Sequence, residues 1–357
     1  MKVCIVGTNL SSLTLAKALV NLNINVDLLS SKKKTTIDKS RTLGISKSNV
    51  DFFNKHIVDI NKLTWKLKKI EIFSDNLKKE KLLNFKKNND YLFSILKNYQ
   101  LFNILESNLL KSKFFKKLDN KIHLNFNDYN LVINTDFLSP VTKKYFNKKI
   151  IKKYNSFALT TIIKHSKITN DVATQIFTKK GPLAFLPISK TETSIVFSMH
   201  NSANGKVENI AELIKKYNFK YEIKSMKKMS SFDLNTLSLR SYNHKNILAF
   251  GDLLHKIHPL AGQGFNMTVR DIKVLIELIK NKLNLGLALD STIGVEFEKK
   301  LKHKNFIFLN GIDFIHEFFN LERNLKSNIL SKSVQLLGKN QSINKFFIKI
   351  ADRGIYL

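Results

Sequence analysis

The residues best suited to chemistry lie between Ala249 and Asp271, in the run AFGDLLHKIHPLAGQGFNMTVRD. An apolar segment, Asn246–Phe250, reads as a strand that runs into Gly251 and Asp252. A carboxylate at a strand end can accept hydrogen bonds from the hydroxyls of a polyol chain. Pro259 and the Gly262–Gly264 turn allow backbone to approach a flat ring closely. A helix expected from about Asn266 to Lys282 sets its first amides beside that ring, and its partial positive charge favours an anion there. His255 or His258 could serve as a base, although packing within the loop or contact with a cofactor accounts for either. An ordinary glycine-rich loop explains any one of these residues but not so many at fixed spacing.

A second element able to position a ligand stands at the start of the sequence. Lys2–Val6 is a short apolar run ending in Gly7. Ser11 and Ser12 precede an amphipathic stretch, Leu13–Leu22, and a second apolar run follows at Ile24–Leu29. Strand, glycine, helix and strand in about thirty residues make the βαβ unit of a dinucleotide-binding fold. The G-x-G-x-x-G fingerprint is reduced here to Gly7-Thr8-Asn9-Leu10-Ser11-Ser12. Asn9 is tolerable through positive φ, and Ser12 is small enough to pack. Ser30 stands where an acidic residue for a ribose hydroxyl is expected. Taken alone, this segment is equally compatible with a plain βαβ start.

The spacing of Leu92, Ile95, Leu96, Tyr99, Leu105 and Leu109 predicts a helix over 88–110, and Asn130–Asn134 reads as a short buried strand. From Phe157 to Met199, runs rich in β-branched and aromatic residues predict an antiparallel sheet. Residues 290–357 read as mostly helical. The fold class expected is α+β: a Rossmann-like nucleotide-binding domain, an inserted antiparallel-sheet domain, and C-terminal helices.

Composition excludes some classes. The chain of 357 residues is large enough for more than one domain. It has no run approaching the ~20 apolar residues of a membrane span and no recognisable secretory leader. A cytoplasmic location is therefore expected, and the single Cys4 agrees with it. The net charge of +32 suggests nucleic acid. Yet only five of the 60 basic residues are arginine, the preferred reader of phosphates and bases. The lysines are spread along the whole chain. That pattern suggests an A/T-rich coding bias laid over a solvated surface; weak attraction to an anionic membrane surface is also reasonable, and nucleic acid is the minor reading.

The 249–271 run closely resembles the second FAD motif of the flavoprotein aromatic-ring monooxygenases, in particular the ubiquinone-biosynthesis hydroxylases. Their pattern is G-D-A-A-H-x-x-x-P-x-x-G-Q-G-x-N-x-G-x-x-D. Gly251, Asp252, His255, Pro259, Gly262, Gln263, Gly264, Asn266 and Asp271 fall on it, and Thr268 replaces one glycine. Other segments are similar to the family's. Arg41, in Asp38–Ser46, stands where an arginine approaches the flavin. Gly181–Pro187 resembles the G-P-L-A-x-L-P stretch of the substrate sheet. Asn98 matches loosely, and 310–319 resembles a helix near the family's C-terminus.

The resemblance implies FAD, held through Gly7, Leu10, Ser11, Arg41, Asn98, Asp136, Gly251, Asp252, Pro259, Gly262, Gly264, Phe265 and Asn266. Pro259, Gly262, Gln263 and Gly264 would form the loop at the flavin ring, with no side-chain acid or base assigned and no metal. A substrate pocket is expected near Phe177, Phe185, Pro187 and Phe197. The FAD-binding domain would comprise 1–64, 92–152 and 240–290. The substrate domain would comprise 65–91 and 153–239, and the helical region 291–357.

The implied reaction is hydroxylation of the aromatic ring of a polyprenylated phenol or quinol. It would use O2 and NAD(P)H through a flavin C4a-hydroperoxide, with the cofactor carrying the chemistry. Peripheral membrane contact and partner proteins of quinone synthesis fit such a substrate. The middle flavin motif departs from the pattern at Thr135-Asp136-Phe137-Leu138-Ser139, one residue short and without its glycine. That departure keeps open a scaffold homologue in a quinone-synthesis assembly. A related reductase or halogenase on the same fold is a nearer rival.

Overall fold

Val3, Cys4, Ile5 and Val6 are all buried, so the Lys2–Val6 strand has no solvent face. A strand apolar on both sides belongs inside a parallel sheet covered by helices. In the computed structural model it pairs in parallel with Asn25–Leu29 on one side and Leu131–Asn134 on the other. The residues described are 1–30, 38–77, 80–87, 90–119, 125–200, 209–257, 262–325 and 328–354. The parallel sheet continues through Phe115–Leu118 at one end and Ile247–Ala249 at the other, with Asn243–His244 as an antiparallel edge.

The helices, in chain order, are α1 (Leu10–Val20), α2 (Lys47–His56), α3 (Asn98–Leu110), α4 (Pro140–Tyr145), α5 (Ile210–Tyr217), α6 (Gln263–Asn284), α7 (Thr292–Leu325), α8 (Ile329–Lys339) and α9 (Gln341–Arg353). Nine of the eleven α1 residues are buried, because the helix lies among the sheet, α3 and α6. This assembly carries the main hydrophobic core.

A second, broad sheet contains the runs expected to be antiparallel. Its long strand, Lys149–His165, pairs with Glu192–His200 and with Ser230–Leu239. Gly181–Pro187 and Val172–Thr178 follow outward, and Lys69–Ser74 with Lys81–Lys86 complete that side. The fold is thus α+β, a Rossmann-like sheet joined to a mostly antiparallel one, with long helices after residue 290.

The helix expected over 88–110 is only half present. Phe93–Lys97 is a strand, paired antiparallel with both Thr42–Ser46 and Trp65–Leu67, and α3 begins at Asn98. Phe93, Ser94, Ile95 and Leu96 are all buried. A short apolar run buried on both faces carries no period that distinguishes strand from helix, and here long-range pairing decided it. This small three-stranded sheet stands between the two large ones and carries part of the site.

Candidate functional site

The eroded fingerprint is stabilised from within. Gly7 has φ +113, and a Cβ on it would stand 2.4 Å from Thr135 Oγ1. Thr135 Oγ1 donates to the Val6 carbonyl at 3.0 Å and lies 2.6 Å from Ser12 Oγ. Asn9 does not use positive φ; it sits at −83° as the N-cap of α1. Its Oδ1 accepts from the Ser12 amide at 3.0 Å, and its Nδ2 donates to the Thr135 carbonyl at 3.1 Å. The amides of Leu10 and Ser11 belong to the first turn, which an α-helix leaves without internal acceptors. The nearby Asp27 is not a substitute for the missing ribose acid, since it accepts from Tyr129 Oη at 2.7 Å.

Gly251, at φ +64, lies against Ser11, where a Cβ would come within 2.8 Å of the Ser11 Cβ. The two expected binding turns are therefore neighbours. Beside them Asp252 accepts no hydrogen bond among the described residues. Arg41 is close enough to act on it electrostatically, while its guanidinium rests 4.4 Å from the centre of the Phe232 ring. His255, by contrast, is fully buried. Its Nε2 lies 2.5 Å from Asp271 Oδ2, and Asn305 Nδ2 donates to Asp271 Oδ1 at 3.3 Å. The histidine anchors the turn to α6 and faces no open space.

Gly262 opens α6 at φ +62. Its backbone approaches Gly44 of the Thr42–Ser46 strand, and Asn266 holds the two together. Asn266 Nδ2 donates to the Gly44 and Gly262 carbonyls, both at 3.0 Å, and its Oδ1 accepts from the Ser46 amide at 2.9 Å and Asn49 Nδ2 at 2.8 Å. Asn266 was expected to touch cofactor, but its side chain is wholly buried and fully occupied with this clamp. Phe265 turns toward Phe53 in the main core, and Leu10 packs there as well. Asp136 accepts from the Leu138 amide at 2.9 Å in a local turn. Pro259 and His258 lie outside the described residues.

Next to the Gly44–Gly262 contact is a cavity of about 340 Å³. Gly262, Gln263, Asn98 and Arg41 bound it on one side. Leu67, Leu92, Phe93 and Ile95 form a wall, and Ile72, Gln175, Ala184, Val196 and Thr160 form a floor on the broad sheet. The floor residues make one row across five strands, because Thr160 pairs with Val196, Val196 with Ala184, Ala184 with Gln175, and Gln175 with Ile72. Phe347, Ile348, Ala351 and Asp352 of α9 close the remaining side. Gln263 is locked in place, donating from Nε2 to the Ala351 carbonyl at 3.2 Å and accepting from Arg270 at 3.4 Å.

The expected pocket aromatics are not in this cavity. Phe185 and Phe197 are 2% and 0% exposed in a separate cluster behind the sheet. Pro187 is buried on the same side as Phe185, two residues along its strand. Phe177 stacks on Phe319 at 3.7 Å between ring centres. Side chains alternate between faces along a strand, so Ala184 and Leu186 face the cavity and their neighbours cannot. Gln175, Ala184, Val196 and the α9 residues were missed. The alternation was visible in the sequence; which parity faces the ligand was not.

A parallel sheet, a broad second sheet and an apolar cavity where they meet make up the architecture. Residues 160–286 match the family model described as FAD binding domain. The mitochondrial ubiquinone biosynthesis monooxygenase COQ6 of Schizosaccharomyces pombe is 20% identical over 273 residues, covering 63% of this chain and 57% of that protein. The 3-demethoxyubiquinol 3-hydroxylase of Escherichia coli (strain K12) is 29% identical over 156 residues, covering 42% and 40%. The chain therefore spans about half the length of the curated relatives it matches. Among solved structures, p-nitrophenol 4-monooxygenase PnpA of Pseudomonas putida DLL-E4 shares the fold with a TM-score of 0.79, over 99% of this chain and 98% of that one, at 13% identity. Part of the chain thus matches an FAD-binding domain, and the chain is similar in sequence to FAD-dependent hydroxylases of ubiquinone biosynthesis.

The described residues fit FAD. The Asp252 carboxylate accepts no hydrogen bond among the described residues at its strand end, where ribityl hydroxyls could donate to it. The first amides of α1 suit a pyrophosphate. Among the described residues, a Cβ on Gly264 would meet nothing closer than 3.8 Å, which suits a backbone that a flat ring approaches.

Proposed function

We propose that this protein hydroxylates the aromatic ring of a polyprenylated phenol or quinol precursor in ubiquinone biosynthesis, using O2 and electrons from NAD(P)H. The observation that carries this reading is the apolar cavity between the Gly44–Gly262 corner and the broad sheet. FAD supplies the oxygen-activating redox chemistry when bound. The protein's residues hold, orient and enclose. Asp252 and Arg41 hold the cofactor, with the amides of Leu10 and Ser11 and the turn at Gly251. The amides at the start of α6 stabilise negative charge on the ring system. Asn266 keeps Gly44 and Gly262 at fixed separation, and His255 with Asp271 fixes the turn after Asp252. Leu67, Phe93, Ile95 and Val196 exclude water, and the floor row receives the substrate ring. A polyprenyl substrate also implies peripheral contact with a membrane surface, and partners in quinone synthesis fit the same reading. No helix among the described residues is long and apolar enough to cross a membrane.

The test is the visible absorption spectrum of the purified protein before and after adding FAD. It is followed by aerobic turnover of a short-prenyl demethoxy-quinol with NADH. A bound-flavin spectrum, weakened by Asp252→Ala or Gly264→Trp, and a product one oxygen heavier are expected. A protein that leaves the FAD spectrum unchanged would overturn the proposal.

A further inference from the structure

Between Glu322 and Asp352 the sequence carries six cations and no carboxylate. Four of them, Lys332, Lys339, Lys345 and Lys349, lie on α8 and α9, which are joined at Asn340. Their inner faces are committed to the protein. Ser331 donates to Glu322, Gln335 Nε2 donates to the Lys81 carbonyl at 3.0 Å, and Asn344 Nδ2 donates to the Asn84 carbonyl at 3.1 Å. On α9, Phe347 and Ile348 wall the cavity, and the Asp352 carbonyl accepts from Ser46 Oγ at 2.9 Å.

The outer faces have another composition. Leu336 and Phe346 are 66% and 53% exposed, large values for such side chains. Lys332, Lys339, Lys345 and Lys349 surround them, all exposed and without an ion pair among the described residues. Exposed apolar groups bordered by unpaired lysines on two short helices are the pattern of a surface lying in an anionic bilayer interface. A protein partner would need matching carboxylates as well as an apolar patch. A bilayer supplies both its charge and its apolar layer without specific matching.

We infer that the outer face of α8–α9 seats on an anionic lipid bilayer. Because the inner face of α9 is a wall of the cavity, that seating places the cavity beside the membrane. A prenyl tail could then remain in the lipid while its ring reaches the floor row. This deepens the proposed hydroxylase and rests on that reading only for the substrate; the docking surface stands on its own residues.

The experiment uses the full chain in co-sedimentation with vesicles of phosphatidylcholine alone or with about one-third phosphatidylglycerol. Binding to the anionic vesicles is expected, weakening with salt as exposed charges are screened. Each lysine contributes on the order of fivefold to partitioning. Lys332→Gln, Lys339→Gln, Lys345→Gln and Lys349→Gln together should therefore lower it by on the order of several hundred-fold. Leu336→Ser with Phe346→Ser should also weaken it. Circular dichroism and the FAD spectrum should be unchanged in both variants, which separates lost docking from lost folding. Equal binding to both vesicle types, retained binding in the lysine variant, or tighter binding to duplex DNA than to anionic vesicles would overturn the inference. Vesicle binding by a protein that ignores FAD would instead sink the hydroxylase and leave the docking surface standing.

Discussion

The backbones of Gly44 and Gly262 meet so closely that a Cβ built on Gly262 would lie 3.4 Å from the Gly44 Cα. These residues are 218 positions apart, and their contact joins the small sheet to the start of α6. Everything proposed for the flavin ring depends on this corner being kept.

A methyl group at Gly44 would stand 2.3 Å from Phe93 Cε1. Gly44→Ala is therefore expected to lose about 1–3 kcal/mol by overpacking, with weaker FAD binding. Adding Phe93→Leu should recover part of the stability by making room. Urea unfolding of the single and double variants is the check; a double variant no more stable than Gly44→Ala would contradict the contact.

Asn266→Ala removes the clamp, leaves the Ser46 amide without its partner, and takes from Asn49 Nδ2 the nearer of its two acceptors, the farther being the Asn266 carbonyl. Each buried group left unmet costs about 1–3 kcal/mol. The urea midpoint should fall with no change in slope, and FAD affinity should fall with it. Unchanged stability would show that Asn266 is a ligand contact, as its motif position first suggested.

The two faces of the Gly181–Pro187 strand should separate cleanly. Ala184→Phe points into the cavity and should raise KM for the proposed quinol substrate strongly while leaving the FAD spectrum intact. Phe185→Ala empties the core behind the sheet and should cost about 3–5 kcal/mol with little change in KM. Steady-state kinetics and thermal unfolding on the same pair of proteins decide it; reversed effects would place the pocket on the other face.

Lys273 on α6 donates from Nζ to the Ser48 carbonyl at 3.2 Å. Burial, aided by the charge of Arg270, brings its pKa down to about 8, against the opposing pull of Asp352 and Asp51. Between about pH 8 and its unfolded value of 10.5, the unfolded chain keeps a proton that the folded chain has released. This group therefore makes stability rise with pH across that window, and its cost is fully present below it. Lys273→Met should stabilise the protein by on the order of 1 kcal/mol near neutral pH, with the gain shrinking towards pH 10. Urea midpoints for both proteins at two pH values test this, and a gain independent of pH would refute the buried charge.

The sequence by itself determined the parts written in local order. The run from Gly251 to Asp271 shows its strand end, glycine turn and helix at fixed spacing, because a turn that lets backbone approach a flat ring needs those conformations in succession. The start at Lys2–Gly7 is legible for the same reason, as are the alternating strands of the broad sheet. What only the tertiary structure decided depends on parity and on distance along the chain. A strand shows its alternation in sequence, but the side that meets the ligand is set by the neighbouring sheet, so Phe185 was read into a cavity that Ala184 lines. Phe93–Lys97 became a strand because Thr42–Ser46 and Trp65–Leu67 pair with it. Asn266 lies on the flavin motif, yet its partners at Gly44, Ser46 and Asn49 are more than two hundred residues away and turn it into a clamp. The closure of the cavity by α9 is of the same kind: the hydrogen bonds from Ser46 and Gln263 to the 351–352 backbone have no trace in local pattern, since backbone carbonyls carry no sequence signature.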